Sequence, residues 1–199
     1  MKIPVCLIQE LRQRSGAGIL DCKRALGETQ GDIEKAAEIL RRQGLVTAAK
    51  KADRIAREGV IEAYVHPGER MGALVDLNCE TDFVARTKEF RQLAHDIAMQ
   101  VVASRPLYIR PEDIPTEVVE GEKENFRAQA REENKPPQII DTIIKGRLDK
   151  YFDQVCLLRQ PFIRDEDRTV QDIVNGYIAR LGENIVVKRL ARFELGEGE

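Results

Sequence analysis

The spacing of the apolar residues changes at Gly59, and this change constrains the fold more than any other feature of the sequence. Before Gly59, apolar residues recur every three or four positions, as they do on one face of a helix. After it they alternate with polar residues on both sides of a turn at residues 66–70. The alternating sets are Ile61, Ala63 and Val65, then Met71, Ala73, Val75 and Leu77. This pattern predicts a β-hairpin, and we expect both apolar sets on its one buried face.

Residues 1–45 have the pattern of a small three-helix domain. Pro4 suits a first helical turn, and Asp32 is a natural N-cap for the third helix. Residues 15–18, Ser-Gly-Ala-Gly, separate the first two helices, and we expect Gly44 to end the third. A bundle of this size buries little apolar surface by itself, so the pattern indicates a docking module.

Residues 46–58 are predicted to form a basic linker. The stretch is rich in alanine, has four basic side chains between Lys50 and Arg57, and lacks an apolar face. Residues 1–57 hold 12 Lys/Arg and 7 Asp/Glu, and the rest of the chain holds 20 and 27, which gives +5 and −7 within the net charge of −2. Because this basic excess is modest, we favour a solvated helical face over a nucleic-acid interface and expect no direct nucleic-acid partner.

Residues 59–199 combine strands with helices. Apolar stripes predict one helix after a cap at Thr87 and another after a cap at Thr169. A third strand is predicted near the C-terminus, where Arg189 interrupts the apolar alternation and indicates either a strand at the sheet edge or a contact with a partner. Its expected apolar face is Ile185, Val187, Ala191, Phe193 and Leu195. These elements predict an α+β core, with a small antiparallel three-stranded sheet packed with helices.

A charged segment at about residues 104–137 is predicted to be a peripheral arm. Prolines interrupt it at several positions, and its apolar content is low. The helix predicted after it has an apolar face made of Ile139, Ile140, Ile143, Ile144, Leu148, Tyr151, Phe152 and Val155. We therefore expect this helix to pack on the core and the arm to project from it.

Residues 78–85, Asn-Cys-Glu-Thr-Asp-Phe-Val-Ala, lie where the hairpin ends and the next helix begins. Most aromatic side chains at such junctions pack into the core, and residue chemistry alone favours that interpretation for Phe83. The apolar stripe of the following helix begins at Phe90, however, beyond the cap at Thr87, so the helix does not itself require Phe83. The alternative is an exposed tip, with Asp82 and Phe83 placed to enter another protein.

The cysteines and histidines give little support for metal or catalytic chemistry. Four cysteines are widely spaced without a C-x-x-C pair, and the only histidines are His66 and His95, so we expect no metal site and no cofactor. A hydrolase using Cys79 with either histidine lacks an identifiable orienting group, and we expect no enzyme activity. Scattered cysteines and the absence of an apolar run of about 20 residues favour a cytoplasmic protein without a membrane partner.

The segment NCETDFVA resembles the signature of the elongation factor Ts family. Residues 12–44, 135–163 and 181–189 (LGENIVVKR) also resemble that family, so the similarity extends over nearly the whole chain. The resemblance implies an N-terminal domain with the ubiquitin-associated type of fold. It also implies the short form of the family, without the second core half and the coiled coil of longer members. In short members the single core half is expected to pair with a second copy as a homodimer.

The resemblance implies a guanine nucleotide exchange factor for elongation factor Tu, bound in its GDP and nucleotide-free forms. In the family, the segment matching Thr81, Asp82, Phe83 and Val84 opens the Mg²⁺ and phosphate site of the partner. Family residues at the positions of Ile19 and Leu20 press on the partner's catalytic domain. Other members often have methionine there, so this chain departs from the pattern but keeps its apolar character.

The main alternative is a non-catalytic adaptor or an RNA-binding module. Residues 1–45 would then recognise ubiquitin-like or peptide partners, and the basic linker would contact RNA. The Gly16-x-Gly18 pattern adds no nucleotide site, because it lacks a preceding strand and further glycines. An adaptor would keep its binding after loss of residues 81–84, whereas an exchange factor would lose its activity.

Overall fold

The computed structural model describes residues 3–197, and its architecture confirms the predicted α+β class. The α-helices are α1 (Val5–Ser15), α2 (Ile19–Glu28), α3 (Ile33–Ala49), α4 (Asp82–Ala85), α5 (Lys88–Ser104), α6 (Thr116–Glu132), α7 (Pro137–Val155) and α8 (Val170–Leu181). The strands are β1 (Glu58–Val65), β2 (Met71–Cys79), β3 (Pro161–Phe162), β4 (Asp165–Thr169) and β5 (Val186–Glu194). Within residues 3–197, no helix is both long and apolar enough to cross a membrane.

The three N-terminal helices pack around their own small core. That core consists of Leu11, Cys22, Ala25, Leu26, Ala36 and Leu40. Gly16 ends α1 in the left-handed conformation, and the Asp32 side chain caps α3 by accepting a hydrogen bond from the Lys35 N–H. Three N-terminal helices are thus confirmed, while the division into domains at 45 and 58 stays a prediction.

The predicted end of the third helix at Gly44 is wrong, because α3 continues to Ala49. Gly44 and Ala48 are buried on the side of α3 that meets α8. A methyl group on Gly44 would lie 3.9 Å from the Asn175 carbonyl oxygen of α8, which is an ordinary van der Waals distance, so α3 and α8 are in close contact at this position. Packing against α8 therefore outweighs the low helix propensity of glycine, and residue 45 lies inside a helix.

The sheet order is β1-β2-β5, with both neighbouring pairs antiparallel. Its central strand β2 buries Ala73, Val75, Leu77 and Cys79 against a core that α5 and α8 complete. Strand β5 is at the edge, as predicted, and Arg189 pairs there with Asp76 of β2 at 3.0 Å. The caps predicted at Thr87 and Thr169 are confirmed, the latter as a capping box with Asp172.

The prediction that both apolar sets of the hairpin share one buried face is wrong. Val65 pairs with Gly72 and Ala63 with Leu74, so odd-numbered residues of β1 lie on the same face as even-numbered residues of β2. Val60 and Tyr64 of β1 therefore pack on the core, whereas Ile61 and Val65 point away from it. Alternation identifies the strands, but the register of the turn decides which residues share a face.

The expected apolar face of β5 is also wrong beyond its midpoint. Val187 pairs with Leu77, but Arg189 pairs with Asp76, so one residue of β5 is extra at this bulge. Ile185 and Val187 before the bulge are buried, whereas Phe193 and Leu195 after it are exposed. A bulge of one residue exchanges the two faces of a strand, which is why a single alternating pattern failed here.

Helices α6 and α7 pair with each other and form a helical hairpin larger than the predicted arm. Arg147 of α7 contacts Glu133, which follows α6, at 2.7 Å, and also Gln129 within α6. Of the apolar face predicted for α7, only Ile144 is buried, so the helix does not pack on the core as expected.

Candidate functional site

The segment that links β2 to α5 forms a short, tightly capped turn. Thr81 caps α4, with its side-chain oxygen accepting from the Val84 N–H at 3.4 Å, and Thr87 caps α5 by accepting from the Phe90 N–H at 3.2 Å. The Thr87 hydroxyl also donates to the Val84 carbonyl oxygen at 2.8 Å. Both ends of the turn are therefore fixed by hydrogen bonds. We call residues 81–84 the tip.

Phe83 projects from the tip into solvent. Its side chain is 83% exposed, whereas Val84 packs against the core and Ala85 is buried. The interpretation in which Phe83 packs under its own helix is thus wrong. The next two residues anchor the turn instead, and this leaves the aromatic ring free.

Asp82 stands beside the exposed ring and is paired within the tip's own helix. Its carboxylate contacts Arg86 at 2.8 Å, one helical turn away, and both side chains are largely exposed. An exposed pair of this kind contributes little to stability, so Asp82 is readily available to another partner. The tip thus presents one apolar and one acidic group side by side.

The turn at residues 182–184, between α8 and β5, holds the base of the tip. The Glu183 carboxylate accepts from the Glu80 N–H at 3.0 Å, from the Thr81 N–H at 3.0 Å and from the Thr81 hydroxyl at 2.6 Å. In return, the Asn184 N–H donates to the Glu80 carboxylate at 2.6 Å. Glu80 and Thr81 on one segment and Glu183 and Asn184 on the other are therefore joined by hydrogen bonds in both directions.

The same turn is bound to the linker that follows α3. The Asn184 side-chain amide donates to the carbonyl oxygens of Ala52 at 3.2 Å and Arg54 at 2.8 Å, and the Lys51 ammonium donates to the Gly182 carbonyl oxygen at 2.6 Å. Gly182 adopts φ +78°, a conformation that glycine reaches without strain, and so allows the sharp exit from α8. Linker, turn and tip therefore meet at one junction.

Sequence reasoning did not assign Glu183 or Asn184 to the site. A signal was present, because these two polar residues directly follow the glycine that ends α8, in the segment LGENIVVKR. Their partners lie about a hundred positions earlier in the chain, and a pattern within one segment does not reveal such pairing.

Cys79 at the end of β2 is a buried structural thiol. Burial away from water is the main cause that raises its pKa to about 11, and the nearby negative charge of Glu183 acts in the same direction. The neutral thiol donates to the Thr81 carbonyl oxygen at 3.1 Å.

Among residues 3–197, neither histidine is hydrogen-bonded to Cys79. His95 is bonded to Glu62 at 3.0 Å, and His66 is bonded to Tyr64 at 3.1 Å. The arrangement offers no activated nucleophile for a hydrolase.

The predicted contact residues of the N-terminal bundle are also exposed. Ile19 and Leu20 begin α2 directly after Gly18, with 56% and 80% of their surfaces accessible. They lie on a separate element from the tip, so the six predicted contact residues fall into two groups, each with a strongly exposed apolar side chain, Leu20 in one and Phe83 in the other. In the part of the chain that is described, no group of three or more metal-ligating side chains is assembled.

Known proteins match the chain along almost its entire length. A family model described as Elongation factor TS matches residues 40–197. Elongation factor Ts of Carboxydothermus hydrogenoformans is 58% identical over 96% of this chain and 88% of the relative, and that of Moorella thermoacetica is 57% identical over 96% and 94%. The protein of the same name from Thermotoga petrophila is 55% identical over 100% and 98%. The chain therefore belongs to the elongation factor Ts family.

Proposed function

We propose that this chain is the guanine nucleotide exchange factor for elongation factor Tu in cytoplasmic protein synthesis. The observation that carries the proposal is the exposed Phe83 ring on a turn that is fixed at both ends. A rigid aromatic side chain loses little conformational entropy when it enters a partner. More of the binding free energy can therefore go into displacing the partner's own groups. The chain itself makes and breaks no covalent bond in this function.

The tip is proposed to act on the site that holds GDP. A nucleotide-binding protein of this class holds its phosphates through a phosphate loop and a Mg²⁺ ion. Phe83 would wedge into elements that support these groups, and Asp82 would bond displaced backbone amides or repel the phosphate charge. Thr81 and Val84 brace the tip, the former as the cap of α4 and the latter against the core. Each tenfold increase in the rate of GDP release requires the free energy of the bound complex to rise by about 1.4 kcal/mol relative to the barrier for release.

Ile19 and Leu20 are proposed to form the second contact, on the partner's catalytic domain. Their exposure on a bundle with its own small core supports a docking role, because apolar side chains this exposed gain binding energy once a partner covers them. Docking by the bundle would supply affinity, while the tip would supply the disturbance of the nucleotide site. The two groups thus have separable effects.

Release of a fluorescent GDP analogue from elongation factor Tu tests the proposed function. We expect the release rate to rise with the concentration of this chain and to saturate. Because the effects of factor and nucleotide on each other's binding are reciprocal, excess GDP should displace the factor by the same coupling. A release rate that this chain leaves unchanged at every concentration would refute the proposal.

The proposed partners also include a second copy of the chain. Strand pairing places Ala63, Val65, Leu74, Ala191 and Phe193 on the face of the sheet turned away from α5, which we call the outer face. Several are strongly exposed, and Phe193 has 68% of its surface accessible. Contiguous exposed apolar surface of this kind is typical of an interface and supports a homodimer formed by two outer faces.

Replacing Phe193 with glutamate should convert the homodimer to a monomer. A two-fold interface would receive two buried charges from this one substitution, and each would lack a partner. Light scattering at matched concentrations should give twice the chain mass for the original protein and the chain mass for the variant. Phe83→Ala is the matched control and should remain dimeric. A monomeric original protein, or a dimeric Phe193→Glu variant, would contradict the outer-face interface.

A further inference from the structure

We propose that Glu183 is a positioning residue that presets the tip for its partner. This inference rests on the proposed exchange function, since it concerns how the tip acts. Glu183 lies 102 positions after Thr81 in the sequence, yet its carboxylate makes three hydrogen bonds to the base of the tip. The carboxylate is bonded to Glu80 and Thr81 but makes no hydrogen bond to Asp82 or Phe83. It therefore acts indirectly, by setting the orientation of Asp82 and Phe83.

The first part of the argument concerns backbone groups that need an acceptor. Glu80 and Thr81 follow the last residue of β2 and precede α4, so their N–H groups have neither a strand partner nor a helical one. One oxygen of Glu183 accepts both of them at 3.0 Å. Bonds to a charged acceptor are stronger than those to a neutral one. This side chain therefore fixes the direction in which the chain leaves the sheet.

The second part concerns the cap of α4. The Thr81 hydroxyl donates to the other Glu183 oxygen at 2.6 Å, and the same hydroxyl oxygen accepts from the Val84 N–H. Its proton is thus committed to Glu183, which leaves the oxygen oriented to cap the helix that carries Phe83. Exit from the sheet and the start of α4 are consequently set by one carboxylate.

The third part concerns the rigidity of Glu183 itself. Gly182 before it is bonded to Lys51, and Asn184 after it is bonded to the linker and to Glu80. A residue held on both sides presents its carboxylate at a fixed place. Such a fixed position matters because a displacement of about 1 Å at a reacting site can lower the rate by up to about a hundredfold.

The test compares Glu183→Ala, Glu183→Gln and the original protein in the GDP-release experiment at saturating factor. We expect the alanine variant to lower the maximal acceleration about tenfold, because the tip is then no longer held in its productive orientation. Glutamine keeps an oxygen for the two N–H groups but puts an amide NH2 where the Thr81 hydroxyl needs an acceptor, so it should restore only part of the rate. Glu58→Ala is the matched control, since Glu58 starts β1 beside Cys79 and is an exposed glutamate near the tip.

A double variant separates positioning from general damage to the fold. In the Phe83→Ala background, Glu183→Ala should cause a much smaller further loss, limited to the misplacement of Asp82, because most of its effect acts through the Phe83 ring. An equal tenfold loss in both backgrounds would overturn the inference. Amide hydrogen exchange gives a readout independent of activity, and it should show faster exchange at Glu80 and Thr81 in the alanine variant. Unchanged exchange there would also overturn it, even if the variant were too unstable for rate measurements.

The outcomes distinguish this inference from the proposed function. If the original protein accelerates GDP release and Phe83→Ala lowers that acceleration, the function stands. A Glu183→Ala variant as active as the original would then overturn only the positioning role. If the original protein does not accelerate release, the proposed function fails, and the positioning role fails with it.

Discussion

Replacing Phe83 with alanine should lower the maximal acceleration of GDP release about a hundredfold. Truncating a central aromatic contact of an interface commonly costs about 2–4 kcal/mol, and each 1.4 kcal/mol changes a rate or equilibrium tenfold. The ring buries little surface in the chain itself, since 83% of it is exposed. The urea midpoint should therefore stay that of the original protein, and stopped-flow release of fluorescent GDP would measure the change in activity.

Leu107→Ala provides the control for this result. Leu107 is also strongly exposed, but it lies after α5 and away from the tip. Its removal should change neither release nor stability. If Phe83→Ala kept the original rate at saturating factor, the wedge would be the wrong mechanism, whether or not the chain still bound its partner through α2. Loss of both rate and stability would assign Phe83 a structural role instead.

The exposed aromatic of the tip was predictable in part from the sequence. The apolar stripe of α5 begins at Phe90, beyond its Thr87 cap, and this already left Phe83 without a place in that helix. Residue chemistry alone nevertheless favoured a buried ring, and the likeness of NCETDFVA to a known signature reversed that preference. The hydrogen bonds that the Glu183 carboxylate accepts were not predictable, because the donors are separated from it by 102 and 103 positions.

The apolar patterns predicted strands and helices more reliably than they predicted faces. Alternation located β1, β2 and β5, yet the register of the hairpin and the bulge opposite Asp76 decided which side chains became buried. Both features depend on how two strands meet, and neither leaves a mark on the alternation within one strand. For that reason the sequence pattern did not predict the exposed outer face, since spacing alone places Phe193 among the buried residues.

The N-terminal helices show the same limit at a helix end. Glycine is a common stop signal, and Gly44 follows a charged stretch, so a C-terminus there is what local chemistry favours. The helix continues because Gly44 and Ala48 allow α3 to lie close to α8, more than a hundred positions later in the chain. Local propensity is a weak preference of at most about 1 kcal/mol for glycine, and a tertiary contact of this extent outweighs it.

Phe90→Ala should destabilise the fold by about 3–5 kcal/mol, in contrast to the same substitution at Phe83. Phe90 is fully buried at the start of α5, and alanine would leave a cavity beneath the sheet as well as losing apolar burial. Urea unfolding, monitored by far-ultraviolet circular dichroism, would measure this loss of stability. The two proteins must be compared at the same chain concentration, because dimerisation also contributes to stability. With a slope of about 1–3 kcal/mol per molar urea, the midpoint should fall by at least about 1 M.

Phe83→Ala is the control within the same experiment, since the two phenylalanines differ mainly in burial. Its urea midpoint should match that of the original protein, while its maximal acceleration of GDP release falls about a hundredfold. The Phe90→Ala variant, measured well below its midpoint, should retain most of the exchange activity, because Thr81, Thr87 and Glu183 still hold the tip. An unchanged midpoint for Phe90→Ala would contradict the assigned core. Exchange as low as that of Phe83→Ala in a folded Phe90→Ala protein would mean that core packing, rather than the capped turn, orients the exposed ring.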